Sequence, residues 1–95
     1  MQEEYLMNKM LRGKTEQEKE TELLKNIVET REKLKNARNN FEYAEDDMID
    51  YYIYQIKANQ SKLDYLIKIA KKKGIVLTRS NEVKMRMFME DELVG

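Results

Sequence analysis

The sequence lacks three residue types whose chemistry or geometry marks many functional classes: cysteine, histidine and proline. Without cysteine the chain has no disulfides, no thiolate metal sites and no cysteine nucleophile. Without histidine it has neither the commonest general base nor the commonest zinc ligand. Only three glycines are present, and they do not form a glycine-rich phosphate-binding loop. These absences make an enzyme the least expected class, and we predict neither a cofactor nor a bound metal ion.

The remaining composition favours one small helical domain. The 95 residues are 38% charged and 41% hydrophobic, and the absence of proline leaves long helices uninterrupted. Eighteen basic and eighteen acidic residues cancel, so no overall positive charge attracts nucleic acid or membranes. No run approaches the ~18 apolar residues of a membrane span, and the first residues lack the pattern of a secretory signal. A cytoplasmic protein without a membrane span is expected.

The most extensive pattern predicts a helix over about residues 46–73. Asp46 or Asp47 would cap its start, and Gly74 followed by Ile75 is typical of a left-handed glycine that ends a helix. The first apolar stripe of this helix consists of Ile49, Ile53, Ile56, Leu63, Ile67 and Ala70. The second apolar stripe consists of Tyr51, Tyr54, Ala58, Tyr65 and Ile69. A helix that is apolar on two faces requires cover on both.

A second long helix is predicted before it, over about residues 15–44. Thr15 and Glu18 have the spacing of a capping box. Seven residues separated alternately by four and three form a heptad-like seam: Leu23, Ile27, Thr30, Leu34, Ala37, Phe41 and Ala44. The short connection between the helices implies an antiparallel hairpin spanning residues 15–77. Folding back there would place Thr30 near Asn59, as a buried polar layer that sets the register.

A single hairpin of this kind buries too little apolar surface to offset the entropy of ordering its backbone. The second apolar stripe offers the additional surface, and tyrosine suits an interface because its ring is apolar while its hydroxyl can remain hydrated. We therefore predict an all-α fold in which two long antiparallel helical hairpins pair into a dimeric four-helix bundle. A different protein partner would cover the same face equally well.

The segments on either side of the hairpin have weaker patterns. Residues 1–14 are predicted to be a flexible or weakly helical lead-in, and residues 78–95 a methionine-rich extension. Ser80 is a candidate helix start, whereas the alternation from Val83 onward is that of a strand. We favour a short helix, because a lone strand has nothing to pair with. Its methionines would form an adaptable apolar surface, either for a partner or, as we prefer, for packing onto its own dimer.

Two clusters of charge allow more specific hypotheses. The acidic cluster consists of Glu42, Glu45, Asp46, Asp47 and Asp50. It would offer oxygen ligands to Mg²⁺ or Ca²⁺, although favourable charge at a helix start explains it more simply. The basic cluster consists of Lys68, Lys71, Lys72, Lys73 and Arg79. It would contact a nucleic-acid backbone, but it also complements the carbonyls at a helix end.

Several local features together match a known family. They are Ala37 and Phe41 before the acidic turn, the run Ile49-Asp50-Tyr51-Tyr52-Ile53-Tyr54, the pair Tyr65-Leu66, and the closing Ala70-Lys71 and Gly74-Ile75. In these features, and over roughly residues 20–76, the chain resembles the YaaL-like family of small bacterial proteins of unknown function. The resemblance implies a cytoplasmic helical protein, in a family whose genes tend to lie near recombination and sporulation genes. It assigns no catalytic residue.

The sequence thus leads to one main functional hypothesis and one alternative. The main hypothesis is a non-catalytic scaffold or protein–protein interaction module that uses the second apolar stripe as its interface. The alternative is a weak nucleic-acid-binding accessory protein that uses the basic end between Lys68 and Arg79.

Overall fold

A computed structural model describes residues 15–94 of the chain, with side chains for residues 15–90. Within that range it contains three helices and no strand: α1 (Glu16–Glu42), α2 (Asp46–Lys72) and α3 (Arg79–Val94). The all-α class is confirmed, and the methionine-rich segment forms a helix rather than a strand. The predicted lead-in at residues 1–14 lies outside the described residues.

Helix α1 begins where the sequence predicts it. Thr15 has an extended backbone, and its hydroxyl oxygen accepts a hydrogen bond of 3.1 Å from the Glu18 amide. This bond satisfies one of the amides that a helix start leaves without an intrahelical partner. At the other end, the amides of Tyr43 and Ala44 each donate to a carbonyl three residues earlier, at 3.2 Å. The chain then turns within three residues, so α2 runs antiparallel to α1.

The start of α2 differs from the prediction. The residue with extended backbone is Glu45, and its side chain makes no capping hydrogen bond. Asp46 and Asp47 are therefore not caps but the first two residues of the helix. The helix itself begins at Asp46, as predicted, and only the identity of its capping residue differs. The two carboxylates contribute negative charge near the amide end of the helix dipole instead of accepting capping bonds.

The end of α2 confirms the prediction for Gly74, which has a φ of 73°. The Gly74 amide donates to the Lys71 carbonyl at 3.1 Å, and the Ile75 amide donates to the Ala70 carbonyl at 3.0 Å. These two bonds define a Schellman motif, which satisfies the last carbonyls of the helix. Because the motif reverses the chain, Ile75 and then Leu77 pack back against the hydrophobic core.

The core lies between α1 and α2, toward the open end of the hairpin. Its buried members are Leu23, Ile27, Leu34, Leu63, Leu66 and Ala70. The predicted seam on α1 is buried from Leu23 as far as Ala37, whereas Phe41 is exposed. The heptad pattern therefore identifies the correct face of α1, but the core ends about a turn before the helix does.

The buried polar residues Thr30 and Asn59 do not form the predicted layer. The Thr30 hydroxyl donates to the Asn26 carbonyl at 2.7 Å, and the Asn59 amide group donates to the Gln55 carbonyl at 2.9 Å. Each side chain thus satisfies its hydrogen bonding on its own helix. The interhelical bond from Arg38 to Gln60, 3.1 Å long, places Asn59 close to the level of Arg38. Thr30 precedes Arg38 by about 12 Å along the helix, so the two polar residues lie at different heights.

Helix α3 begins at Arg79, not at Ser80 as predicted, because Thr78 is its cap. The Thr78 hydroxyl accepts a bond of 3.0 Å from the Asn81 amide, and the Asn81 side chain donates to the Val76 carbonyl at 3.1 Å. The helix packs against α1 of the same chain. Its half-buried residues, Glu82, Met85 and Met89, are spaced by three and four, which is one side of a helix.

Candidate interaction surface

The first turns of α2 carry large apolar side chains that the rest of the described chain leaves uncovered. None of the residues from 38 to 58 is buried. Tyr51 is 49% exposed and Tyr54 is 72% exposed, and Ala58 is also exposed. Exposed apolar side chains that occur singly need no explanation, but several on one helix face indicate a contact site.

The five residues of the second apolar stripe have two different environments. Tyr51, Tyr54 and Ala58 are exposed, whereas Tyr65 and Ile69 are half-buried and pack against the hydrophobic core. The Tyr51 ring also meets the Tyr52 ring edge to face, with centroids 5.1 Å apart, which restricts the orientation of both rings. The surface available to a partner is therefore concentrated in the first half of α2.

The exposure of this surface follows from how the two long helices are aligned. Arg38 of α1 donates to Gln60 of α2, and Gln60 in turn donates to Asp64 at 3.0 Å. Because Arg38 lies near the end of α1 and Gln60 near the middle of α2, little of α1 remains to cover residues 46–58. The half-buried state of Ile49, Ile53 and Ile56 shows that even the first apolar stripe is incompletely covered there.

The residues of the basic cluster are all exposed. Lys68, Lys71 and Lys72 lie on the last turns of α2, and Lys73 is its C-terminal capping residue. The fifth member, Arg79, begins α3 and lines a shallow surface depression together with Arg31, Glu82, Val83 and Arg86. None of the four lysines forms an ion pair with another residue in the range 15–90.

The acidic cluster is exposed throughout and lies around the connection between α1 and α2. Among the residues that the structure describes, no group of three or more acidic side chains is arranged to hold a metal ion. No helix among the described residues combines the length and the apolar composition that crossing a membrane requires.

A smaller apolar surface lies on α3. Val83, Met87 and Phe88 are exposed, with Met87 at 59% the most accessible of them. The opposite side of the helix carries Met85 and Met89, which are half-buried. The methionine-rich extension thus divides into a side toward its own chain and a side toward solvent.

Sequence reasoning missed the ion pairs that attach α3 to α1. Glu82 pairs with Arg31, and Arg86 pairs with Glu32 at 2.8 Å. Nothing in the sequence connects these residues, because they are about fifty positions apart and each also has oppositely charged neighbours close by in the chain. Their partners depend on where α3 crosses α1.

The fold and its surface define a class, a small all-α protein built from a long helical hairpin. A third helix packs against the hairpin, and one face of α2 carries exposed apolar side chains. A family model matches residues 6–77, well over half of the chain. The chain therefore belongs to that family, which is described as Protein of unknown function (DUF2508). No curated protein and no solved structure matches the chain.

The family match revises the extent of the resemblance. It begins at residue 6, whereas the sequence features indicated a start near residue 20, so much of the lead-in belongs to the family region. It ends at residue 77, just before α3. An uncharacterised family is thus confirmed, and the YaaL-like identity stays a prediction.

Proposed function

We propose that this protein is a non-catalytic scaffold or protein–protein interaction module of the bacterial cytoplasm, which forms a homodimer through the second apolar stripe. The exposure of Tyr51 and Tyr54 on one face of α2 carries this proposal. Tyrosines are enriched at protein interfaces because each buries a large apolar ring at a small cost in side-chain entropy. In a dimer the two hairpins would contribute two helices each, which gives the predicted four-helix bundle.

The surrounding residues support a contact of useful size. Phe41 and Met48 are 39% and 43% exposed, and both lie at the same closed end of the hairpin as the tyrosines. A two-fold interface uses each of these side chains twice, since the same patch is contributed by both copies. Stable interfaces bury roughly 600–1,000 Å² on each partner, and a few aromatic residues near the centre carry most of the binding energy.

Light scattering over a wide range of protein concentration tests the proposal. The chain has a mass of 11.5 kDa, and we expect the measured mass to be twice that value. Replacing Tyr51 and Tyr54 with serine should shift the mass toward that of the monomer. Both residues are exposed in the single chain, so neither substitution opens the hydrophobic core, and helical circular dichroism at the same concentration measures how much of the fold the monomer keeps.

Tyr43→Ser provides a matched control. Tyr43 is 84% exposed and lies on the connection between α1 and α2, outside the second apolar stripe. The control should remain a dimer. A wild-type mass of 11.5 kDa at every concentration would contradict homodimerisation. A dimer unaffected by the double serine variant would show that another surface forms the contact.

The alternative function, weak nucleic-acid binding, is supported by the exposure of all five residues of the basic cluster, four of which are lysines at the end of α2. Flexible ammonium groups in this number can contact successive phosphates. The overall charge of the chain is zero, so any such binding would require a local concentration of positive charge such as this cluster.

A further inference from the structure

Positions on the face of α2 that contains most of the second apolar stripe follow the same order of spacings whether the helix is followed from its start or from its end. Its seam positions alternate by four and three residues: Asp47, Tyr51, Tyr54, Ala58, Ser61, Tyr65, Lys68 and Lys72. Seven of the eight are exposed, and Tyr65 is half-buried. Four of the eight positions are apolar, and an apolar stripe with this spacing is typical of a helix that pairs with another helix. Because the spacing is palindromic, two copies aligned in opposite directions can match at every position.

The charges at the two ends of the seam favour opposite directions. In a parallel pair, Asp47 would face Asp47 of the second copy, and Lys72 would face Lys72. In an antiparallel pair with full overlap, Asp47 faces Lys72 of the second copy, and Asp46 lies beside Lys73. All four residues are exposed at the ends of α2. Like charges at a helix interface are destabilising, and opposite charges select the partner and its orientation.

The middle of the seam fits the same alignment. Ala58 meets Ser61 of the second copy on both sides of the two-fold axis, and two such small side chains allow the helices to approach closely. One step outward, Tyr54 meets Tyr65, whose rings can stack with an offset. Beyond them, Tyr51 meets Lys68, an arrangement in which the ammonium group can lie against the ring face.

Shorter overlaps lose these matches. If the second copy is displaced by one heptad toward the start of α2, Asp47 faces Tyr65 and the lysines at the end of α2 have no acidic residue opposite them. We infer that α2 pairs with α2 of a second copy in antiparallel orientation and full overlap, with the two-fold axis near Asn59 and Gln60. This inference rests on the proposed homodimer and specifies its geometry.

Disulfide trapping tests the geometry directly, because the chain has no cysteine of its own. Three single variants, Tyr51→Cys, Lys68→Cys and Ser61→Cys, are prepared, mixed in pairs, unfolded, refolded together and oxidised. A disulfide requires Cα atoms about 4.4–6.8 Å apart. In the inferred dimer, position 51 of one copy lies opposite position 68 of the other and about 25 Å along the axis from its own equivalent.

The expected result is a covalent dimer from the mixture of Tyr51→Cys and Lys68→Cys, and none from Tyr51→Cys alone. Trapping of Tyr51→Cys with itself would overturn the antiparallel orientation. Trapping with Ser61→Cys instead of Lys68→Cys would overturn the full overlap. The absence of any trapped dimer, while light scattering still gives twice 11.5 kDa, would overturn the use of this face. That last outcome would also contradict the proposed interface, whereas a different trapping pattern would overturn only the inferred geometry. A monomeric mass would contradict homodimerisation itself.

A charge exchange supplies a second and independent readout. Asp47→Lys should weaken dimerisation by about tenfold, because it replaces two exposed attractive pairs with two repulsive ones. Adding Lys72→Asp in the same chain should restore the dissociation constant, since each pair is then re-formed with its charges reversed. In a parallel dimer, Asp47→Lys would only exchange one like-charged pair for another, so neither the loss nor its rescue would be observed. Failure of the second substitution to rescue the first would therefore overturn the inference.

Discussion

Gly74 has the one positive φ among the residues that the structure describes, so glycine is the favoured residue at this end of α2. Its φ of 73° lies in the left-handed region, and a Cβ added there would meet no atom within 4 Å. Replacing it with alanine therefore costs only torsional energy, roughly 1–2 kcal/mol for a residue with a Cβ in this region. Alanine also lowers the conformational entropy of the unfolded chain, which stabilises the folded state by about 0.4–1 kcal/mol. We expect Gly74→Ala to destabilise the fold by about 1 kcal/mol, which lowers Tm by roughly 4–8 °C in a domain of this size.

The assay is thermal and urea unfolding followed by circular dichroism. One protein concentration is used throughout, because Tm would depend on concentration if the protein dimerises as proposed. Gly74→Asn should lower the free energy of unfolding less than Gly74→Ala does, since asparagine tolerates the left-handed region better. Lys73→Ala is the matched control: this neighbouring residue has a φ of −84°, in the right-handed helical region. It should change stability by no more than about 0.5 kcal/mol. Equal stability of wild type and Gly74→Ala, or a larger loss for asparagine than for alanine, would refute the torsional explanation.

Two further predictions concern features that the sequence made prominent. Thr30→Val removes a buried hydroxyl that donates only to the Asn26 carbonyl of its own helix. The oligomeric mass should therefore stay unchanged. The free energy of unfolding should change by less than about 1.5 kcal/mol. A changed mass in light scattering would reinstate the polar layer as a determinant of assembly. If the basic cluster binds nucleic acid, the shift of a DNA fragment in electrophoresis must weaken steeply with salt and disappear when Lys71, Lys72 and Lys73 become glutamine. No shift even at low salt would exclude the alternative function.

Features that depend on neighbours within a turn or two of the chain were predictable from the sequence. The Thr15 cap and the Gly74 C-terminal motif are examples, because each is decided by bonds that span three to five residues. The buried face of α1 was also predictable from Leu23 to Ala37, since helical spacing alone places these residues on one side. The capping residues at the starts of α2 and α3 lie one or two positions before those that the sequence predicted, at Glu45 and Thr78.

The candidate surface required both levels of information. Spacing identifies the second apolar stripe as a face, but its exposure depends on the alignment of α1 with α2, which leaves Tyr51 and Tyr54 uncovered. The ion pairs of α3 with Arg31 and Glu32 likewise follow from a crossing point that no local pattern specifies.

The sequence alone determined the helices, their ends and their apolar faces, because these features depend on short-range hydrogen bonds and on a period of 3.6 residues. The depth of burial along each face, and therefore the part of α2 left open to a partner, was settled by packing between helices. That packing depends on how α1 and α2 are aligned along their axes, which is decided by contacts between side chains far apart in sequence. It also depends on where the three-residue connection allows α2 to begin.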